Sequence, residues 1–282
     1  MAKKLVAIVV PLSNRETFTE AEEISLNHLQ AHLSGYDRFF AIPEGLNVAR
    51  EGIENREYGH EYFGSIEAHR KLLFSKEFYQ SFSDYEFLLI YHLDALVFSD
   101  ELTQWCEAGY DYIAPPWIEH PDAPYHGDTE YEGKVGNGGF SLRRIQTFLD
   151  VLDSTRYTMN PIRRMVREFR MNRRAGRSNS LSYLAGLIFK RNNGLAREQR
   201  EYRHGEDHFW GTGRAEHYLP GFKVAPVDVA LRFAVECAPS YCFDLLGQKL
   251  PFGCHAFERY DRAFWEPYML LPPEQPTAAE SS

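Results

Sequence analysis

The 282-residue chain predicts an α/β protein built on one open, twisted, doubly wound sheet, and three observations carry that expectation. Strand-like and helix-like patterns alternate through the N-terminal third. The strand segments are near-continuous apolar runs, the pattern of parallel strands covered on both faces. A carboxylate, Asp94, stands where the most apolar of those runs ends, at the edge where such sheets bind ligands.

The elements follow in order. Residues 4–10 are apolar and β-branched and predict a first buried strand. With Lys3 and Lys4 before it, the apolar run 5–12 imitates a secretion signal. It ends, however, at Ser13-Asn14-Arg15-Glu16 without a small-residue cleavage site. Residues 16–34 carry helical spacing through Ile24, Leu26, Leu29 and Leu33, and 38–42 predict a second strand stopped by Pro43. Residues 64–82 predict one helix with Ile66, Leu72, Leu73, Phe78 and Tyr79 on its core face, and 85–91 a central parallel strand. A helix is expected over 100–108 and a strand over 110–114. The Pro/Gly/His/Asp-rich loop 115–133 is long enough to suggest a functional role. Residues 136–142 lead into a helix over 144–152. Together these predict a single domain over 1–271, with a basic helical insertion at 155–204 and a disordered tail at 272–282.

Apolar residues make up 44% and charged residues 25% of the chain, ordinary values for a globular protein able to bury a large core. No stretch approaches the roughly 20 apolar residues of a membrane span, so a soluble or peripheral cytoplasmic protein is expected. Cys106, Cys237, Cys242 and Cys254 form neither a CxxC pair nor a disulfide framework and read as free thiols. The net charge of −9 is unevenly placed, since residues 155–204 hold 13 Lys/Arg against Glu168, Glu198 and Glu201. That asymmetry suggests a surface for an anionic partner such as a membrane, through residues 156–203; a solvated helical face is the plain alternative. The apolar patch 181–189 within it predicts a core helix rather than a surface-dipping one. No nucleic-acid partner is expected.

Four segments can carry chemistry. In Tyr91-His92-Leu93-Asp94, the carboxylate of Asp94 can bind Mg²⁺ or Mn²⁺ bridging a diphosphate, hold a ribose hydroxyl, or serve only as a turn residue or helix cap. In Gly136-Asn137-Gly138-Gly139, glycines let the backbone approach a ligand and Asn137 offers a donor and an acceptor to sugar hydroxyls; turns use the same residues. Glu206-Asp207, at a helix start, can supply a general base and order an acceptor hydroxyl, or merely cap the helix. His255, in Phe252-Gly253-Cys254-His255, is a nitrogen donor suited to Mn²⁺ if it faces the cleft. The HxxxH spacings His28/His32 and His204/His208 raise a rival, a metal-dependent hydrolase, although neither holds the Glu of HExxH. A non-catalytic sugar- or nucleotide-binding module is a second rival, and a nucleotidyltransferase, lacking the Gly-rich basic loop after strand one, a third.

Taken in order, LLIYHLDALVF, YDYIAPPW, VGNGGFSLRR and GEDHFW resemble the GT-A superfamily of glycosyltransferases, more closely a bacterial and fungal glycosyltransferase-like domain family, over residues 5–260 without the insertion. The resemblance implies a GT-A-like, Rossmann-like mixed sheet flanked by helices. It implies a nucleotide-sugar donor at the end of the first strand, near Pro11, Asn14 and Arg15, and a glycan or lipid-linked acceptor. Asp94 takes the place of the acidic DxD-type motif, but His92 and Leu96 flank it, so one acid ligand is missing; His255 matches the late His that completes such metal sites. His92, Asn137, Gly138 and Gly139 would line the donor, Asp94 and His255 would hold a divalent cation, Mn²⁺ or Mg²⁺, and Asp207 beside Glu206 would be the base. The implied activity is inverting hexosyl transfer in surface polysaccharide or glycolipid assembly.

Overall fold

The computed structural model describes residues 3–177, 180–186, 193–201 and 204–271. Strand β1 (Lys4–Pro11) is the expected N-terminal run, with residues 6–10 buried. Beside it lie β2 (Asp37–Pro43), β3 (Glu54–Tyr58) and β4 (Tyr85–Tyr91); shorter strands follow as β5 (Leu96–Val97), β6 (Tyr112–Ile113), β7 (Pro116–Trp117), β8 (Lys134–Val135), β9 (Phe140–Arg144), β10 (Ala234–Val235) and β11 (Gly253–Cys254). The main sheet runs β3-β2-β1-β4-β9-β6. Its first four strands are parallel, while β9 is antiparallel to both β4 and β6, so the sheet is mixed.

Local chemistry corrects several expected boundaries. The first helix starts at Glu20, not at residue 16, because Thr19 and Glu22 form a capping box. The helix expected over 64–82 is two, Ile66–Leu73 and Lys76–Gln80. Between them, Ser75 accepts from Phe78 N at 3.2 Å and donates to the Leu72 carbonyl at 2.8 Å, capping the second and closing the first. Strand β3 escaped the apolar-run criterion because it is an edge strand whose only buried residue is Tyr58. The loop 115–133 contributes β7, which pairs with β8 as Pro116 opposite Val135.

A second sheet, ordered β10-β11-β5, matters most for the site. After β4 the chain turns through residues 92–95 and enters β5, which pairs antiparallel with β11 as Leu96 opposite Cys254. Leu96, Val235, Cys254, Phe257 and Trp265 bury this sheet in a core cluster of its own. All four cysteines are buried free thiols, as expected. The described part of the basic insertion forms helices at Pro161–Arg174, Leu181–Gly186 and Leu195–Glu201. Leu181 is 85% exposed, against the core packing expected for residues 181–189; residues 187–192 of that patch and the tail 272–282 lie outside the described residues. No helix among the described residues is long and apolar enough to cross a membrane.

Candidate functional site

The end of β4 gathers three candidate ligands. The Cys254–Leu96 pairing sets His255 beside Ala95, so an imidazole 161 positions away in sequence meets the carboxylate of Asp94: His255 Nε2 lies 3.2 Å from Asp94 Oδ1. His92, two residues before Asp94, completes a group whose ligand atoms all lie within 4.8 Å of one another. Parallel pairing of Val235 with Cys254 places Glu236 on the far side of the same ring, its Oε1 3.5 Å from His255 Nδ1. Burial opposes the charges of both Asp94 and His255. Even so, the imidazolium holds the Asp94 carboxyl below its usual range, and Asp94 followed by Glu236 raises His255 to about 10.

These residues fit a divalent cation. Asp94 Oδ1 and both ring nitrogens of His255 are buried atoms without a well-directed hydrogen bond; Nε2 is turned to Asp94 and Nδ1 to Glu236. Two imidazoles and one carboxylate suit Mn²⁺ better than Mg²⁺, which prefers oxygen. Each histidine has a supporting partner. Glu236 stands at Nδ1 of His255, and His69 Nε2 lies 3.1 Å from His92 Nε2. Burial lowers His69 to about 4 and drives His92 well below its usual value, so both rings are neutral and share one proton. With that proton on His92 Nε2, its Nδ1 carries the lone pair a cation needs.

A cleft of about 710 Å³ opens beside this group, between the end of β1 and the helix Ile66–Leu73. Pro11, Arg15, His92, Asp94 and His255 line it as expected, together with Tyr62, Phe63 and His69. Asn14 is exposed near Gly64 and is not among the lining residues. Arg15 is already engaged, donating to the Thr17 carbonyl at 2.9 Å and ion-paired with Glu22.

The glycine turn joins this cleft to the fourth motif. His92 N donates to the Gly139 carbonyl at 2.8 Å, extending the β4–β9 ladder by one step. A Cβ on Gly139 would fall on the His255 imidazole, and one on Gly136 would fall on the Trp117 ring. Asn137 adopts φ 72° and turns its Oδ1 to Gly139 N at 3.3 Å, a local bond that holds the turn. Asp207 is half-buried beside it, with Oδ2 3.4 Å from Gly138 N and Oδ1 accepting from His208 N at 2.8 Å.

Glu206, expected to face the acceptor, instead turns inward. Its Oε1 lies 3.1 Å from Nη2 of Arg143, a guanidinium with no exposed surface that also bonds Tyr79 Oη at 2.8 Å and Ser141 Oγ at 3.0 Å. Burial pushes the Glu206 carboxyl up to about 7 even beside Arg143. This pair ties VGNGGFSLRR to GEDHFW and explains why both contain a charge in an otherwise apolar setting.

The HxxxH pairs do not behave as metal sites. His28 spends both nitrogens, at 2.8 Å on the Val97 carbonyl and 2.9 Å on Leu270 N. His208 Nε2 lies 3.0 Å from the Glu130 carbonyl, and His204, just before the helix Glu206–Gly211, stacks its ring on that of His208 at 4.4 Å and meets Tyr131 Oη through Nδ1 at 2.9 Å. Sequence reasoning missed Glu236 and His69. A lone acid inside Phe233-Ala234-Val235-Glu236-Cys237 was a usable signal for the first; for His69 the signal was its place three and four residues before Leu72 and Leu73, on the core-facing side of its helix.

Residues 52–255 match the family model described as protein of unknown function (DUF5672). No curated protein matches the chain. Among solved structures, the apo form of the glycosyltransferase GlyE from Streptococcus pneumoniae TIGR4 is similar with a TM-score of 0.47 at 12% identity, over 96% of this chain. The chain spans 61% of that GlyE chain. The galactosyltransferase LgtC, in complex with donor and acceptor sugar analogues, is similar with a TM-score of 0.45 at 13% identity, over 95% of this chain and 98% of its own.

Proposed function

We propose that this chain, which belongs to the DUF5672 family, is a glycosyltransferase that binds a nucleotide-activated sugar in the cleft beyond β1 and β4 and passes the sugar to a hydroxyl of a glycan or lipid-linked acceptor. The observation that carries the reading is the convergence of His92, Asp94 and His255 at the strand ends, beside a cleft with room for a nucleotide. The order of the four sequence motifs supports it.

Each residue has a task. Tyr62 and Phe63 offer an apolar wall to a nucleobase, and Arg15 can exchange Glu22 for a phosphate. Asp94, His92 and His255 would hold Mn²⁺ or Mg²⁺, with Glu236 and His69 orienting the two imidazoles. Such an ion, when bound, offsets the charge that develops on the departing nucleoside diphosphate. Gly138 and Gly139 bring backbone close to the transferred sugar. Asp207 accepts the proton of the acceptor hydroxyl as that oxygen forms its bond to the anomeric carbon and the carbon–phosphate-oxygen bond breaks, which inverts the configuration.

Turnover of UDP-, GDP-, CMP- and dTDP-sugars with Mn²⁺, comparing wild type with Asp207→Asn, tests the reading. Loss of the base should cost about 10²–10⁴-fold in kcat with donor affinity unchanged. Intact turnover in the variant would remove Asp207 from that role, and a retained anomeric configuration in the product would remove inversion. A second reading, a donor-binding module without catalysis, is favoured by the two backbone N–H groups that already engage both oxygens of Asp207. Nucleoside diphosphate release from any donor eliminates it.

A further inference from the structure

We propose that a recess separate from the donor cleft is a subsite for an uncharged pyranose of the acceptor, an assignment that rests on the transferase reading above and makes the acceptor an oligosaccharide. The recess holds about 490 Å³, room for a small ligand, and shares no lining residue with the donor cleft. Three segments build its walls: His120 and Asp122 from the loop 115–133, Tyr241 from the helix Pro239–Leu245, and Arg259, Tyr260 and Asp261 from the stretch after His255. Hydrogen bonds within the segments hold two of these walls. Cys242 N donates to the Ala238 carbonyl at 3.0 Å, and Arg259 N and Tyr260 N share the Ala256 carbonyl at 2.9 and 3.1 Å.

The chemistry of the walls identifies a sugar. The Tyr241 ring lies 4.8 Å from that of His120 and is still 41% exposed, so part of it stays open to a ligand. The C–H face of a pyranose is apolar and its hydrogens are weakly positive, which matches the negative face of an aromatic ring. The hydroxyls at the edge of the pyranose need acceptors and donors. Asp122 offers a carboxylate 84% exposed, and Asp261 spends Oδ1 on Phe264 N at 3.3 Å and keeps Oδ2. Arg259 rests on the Tyr260 ring and pairs with no carboxylate among the described residues. Two carboxylates against one guanidinium repel a phosphate-bearing ligand, and the guanidinium repels a metal ion, whereas a neutral polyhydroxyl ring uses all three. Contacts lead from the recess to the base. Ala238 follows Cys237, whose Sγ is 2.8 Å from Tyr125 Oη; the Tyr125 ring stacks on Tyr131 at 6.3 Å, Tyr131 meets His208 at 4.9 Å, and His208 N donates to Asp207 Oδ1. Asp207 and the turn 137–139 are not among the walls, so the sugar in the recess is a different unit from the one whose hydroxyl meets the base. The loop 115–133 thereby gains the role its length suggests.

Saturation-transfer NMR on the full chain tests the subsite, with the methyl glycosides of glucose, galactose, mannose and N-acetylglucosamine as probes. At least one should bind, and UDP, GDP, CMP and dTDP with Mn²⁺ should leave its signal in place, because cleft and recess are separate. Tyr241→Ala and Arg259→Gln, both at exposed side chains, should each weaken that probe about tenfold. Tyr241→Phe keeps the ring and should hold most of the affinity. Absence of binding by all four probes overturns the subsite, as does displacement by the nucleotides or binding indifferent to both Tyr241→Ala and Arg259→Gln. Transfer to the bound methyl glycoside with the same kcat/KM as to a trisaccharide of that sugar would overturn the oligosaccharide assignment. Failure of the transferase reading looks different: probe binding sensitive to Tyr241→Ala in a protein that turns over no donor would uphold the sugar subsite and overturn the reading it rests on.

Discussion

Gly139 has no side chain because His255 occupies the space a Cβ would need. The neighbouring Gly138 is tight for a similar reason, a Cβ there falling 2.8 Å from Glu206 Oε1. Gly139→Ala should push the imidazole away from Asp94, weaken Mn²⁺ binding measured by titration about tenfold or more, and cost about 1–3 kcal/mol of stability from the forced shift. Unchanged Mn²⁺ affinity in that variant would mean His255 is not a ligand. The residues readable from sequence were those whose type clashes with their surroundings: Asp94 at the end of an apolar strand, His255 in an apolar stretch, glycines packed into one turn. Glu206 was read with Asp207 as one acidic unit because adjacency says nothing about direction. On a helix the two point apart by 100°, and one reached Arg143 while the other stayed at the turn. His69 shows the converse, a polar side chain on an ordinary amphipathic helix that gains its meaning only from His92.

The helix Glu20–Leu33 shows how an element is fastened from outside its own pattern. Its Ile24, Leu29 and Leu33 are fully buried, as the spacing implied, but its register against the second sheet also rests on His28, whose Nδ1 meets the Val97 carbonyl and whose Nε2 meets Leu270 N. Those partners require a neutral ring with its proton on Nδ1. Burial lowers His28 to about 4, with the neighbouring His32 adding to the effect. Since the unfolded chain protonates near 6.5, it binds more protons than the native state between pH 6.5 and 4. Stability is therefore complete above pH 6.5 and falls as pH drops through that window, by at most about 3 kcal/mol from this group. His28→Asn should melt lower at pH 7.5 and lose stability less steeply on acidification, as read from urea unfolding across the window; a slope equal to wild type would mean the ring protonates freely in the folded protein. Helices and central strands were legible because burial imposes a period. The edge strand β3 and the short β5, β10 and β11 were not, since two-residue strands have no period and an edge strand buries too little to show one.

No single stretch of chain holds the candidate site. Pro11, His92 with Asp94, the turn 137–139 and His255 come from four separate segments, joined by β1–β4, β4–β9 and β5–β11 pairings. Long-range register of this kind is invisible in one sequence, where motifs have an order but no distances. It also means that a ligand touching all four segments holds the whole fold closed, because partial unfolding of either sheet destroys its site. The proposed donor at 100 times its dissociation constant should add about 2.7 kcal/mol, and for a domain of this size that is a melting shift of about 5 °C or more. The shift should need donor and Mn²⁺ together, and chelation should reverse it. Asp94→Asn gives up the pairing with His255 and should melt somewhat lower without ligand, so its shift is read against its own unliganded melting temperature; the part of that shift that depends on Mn²⁺ should be gone. That separates a lost ligand from a damaged fold. A donor shift of the same size with chelator present, or in Asp94→Asn, would detach the His92–Asp94–His255 group from donor binding and leave the cleft walls, Arg15 with Tyr62 and Phe63, to hold the nucleotide without a metal.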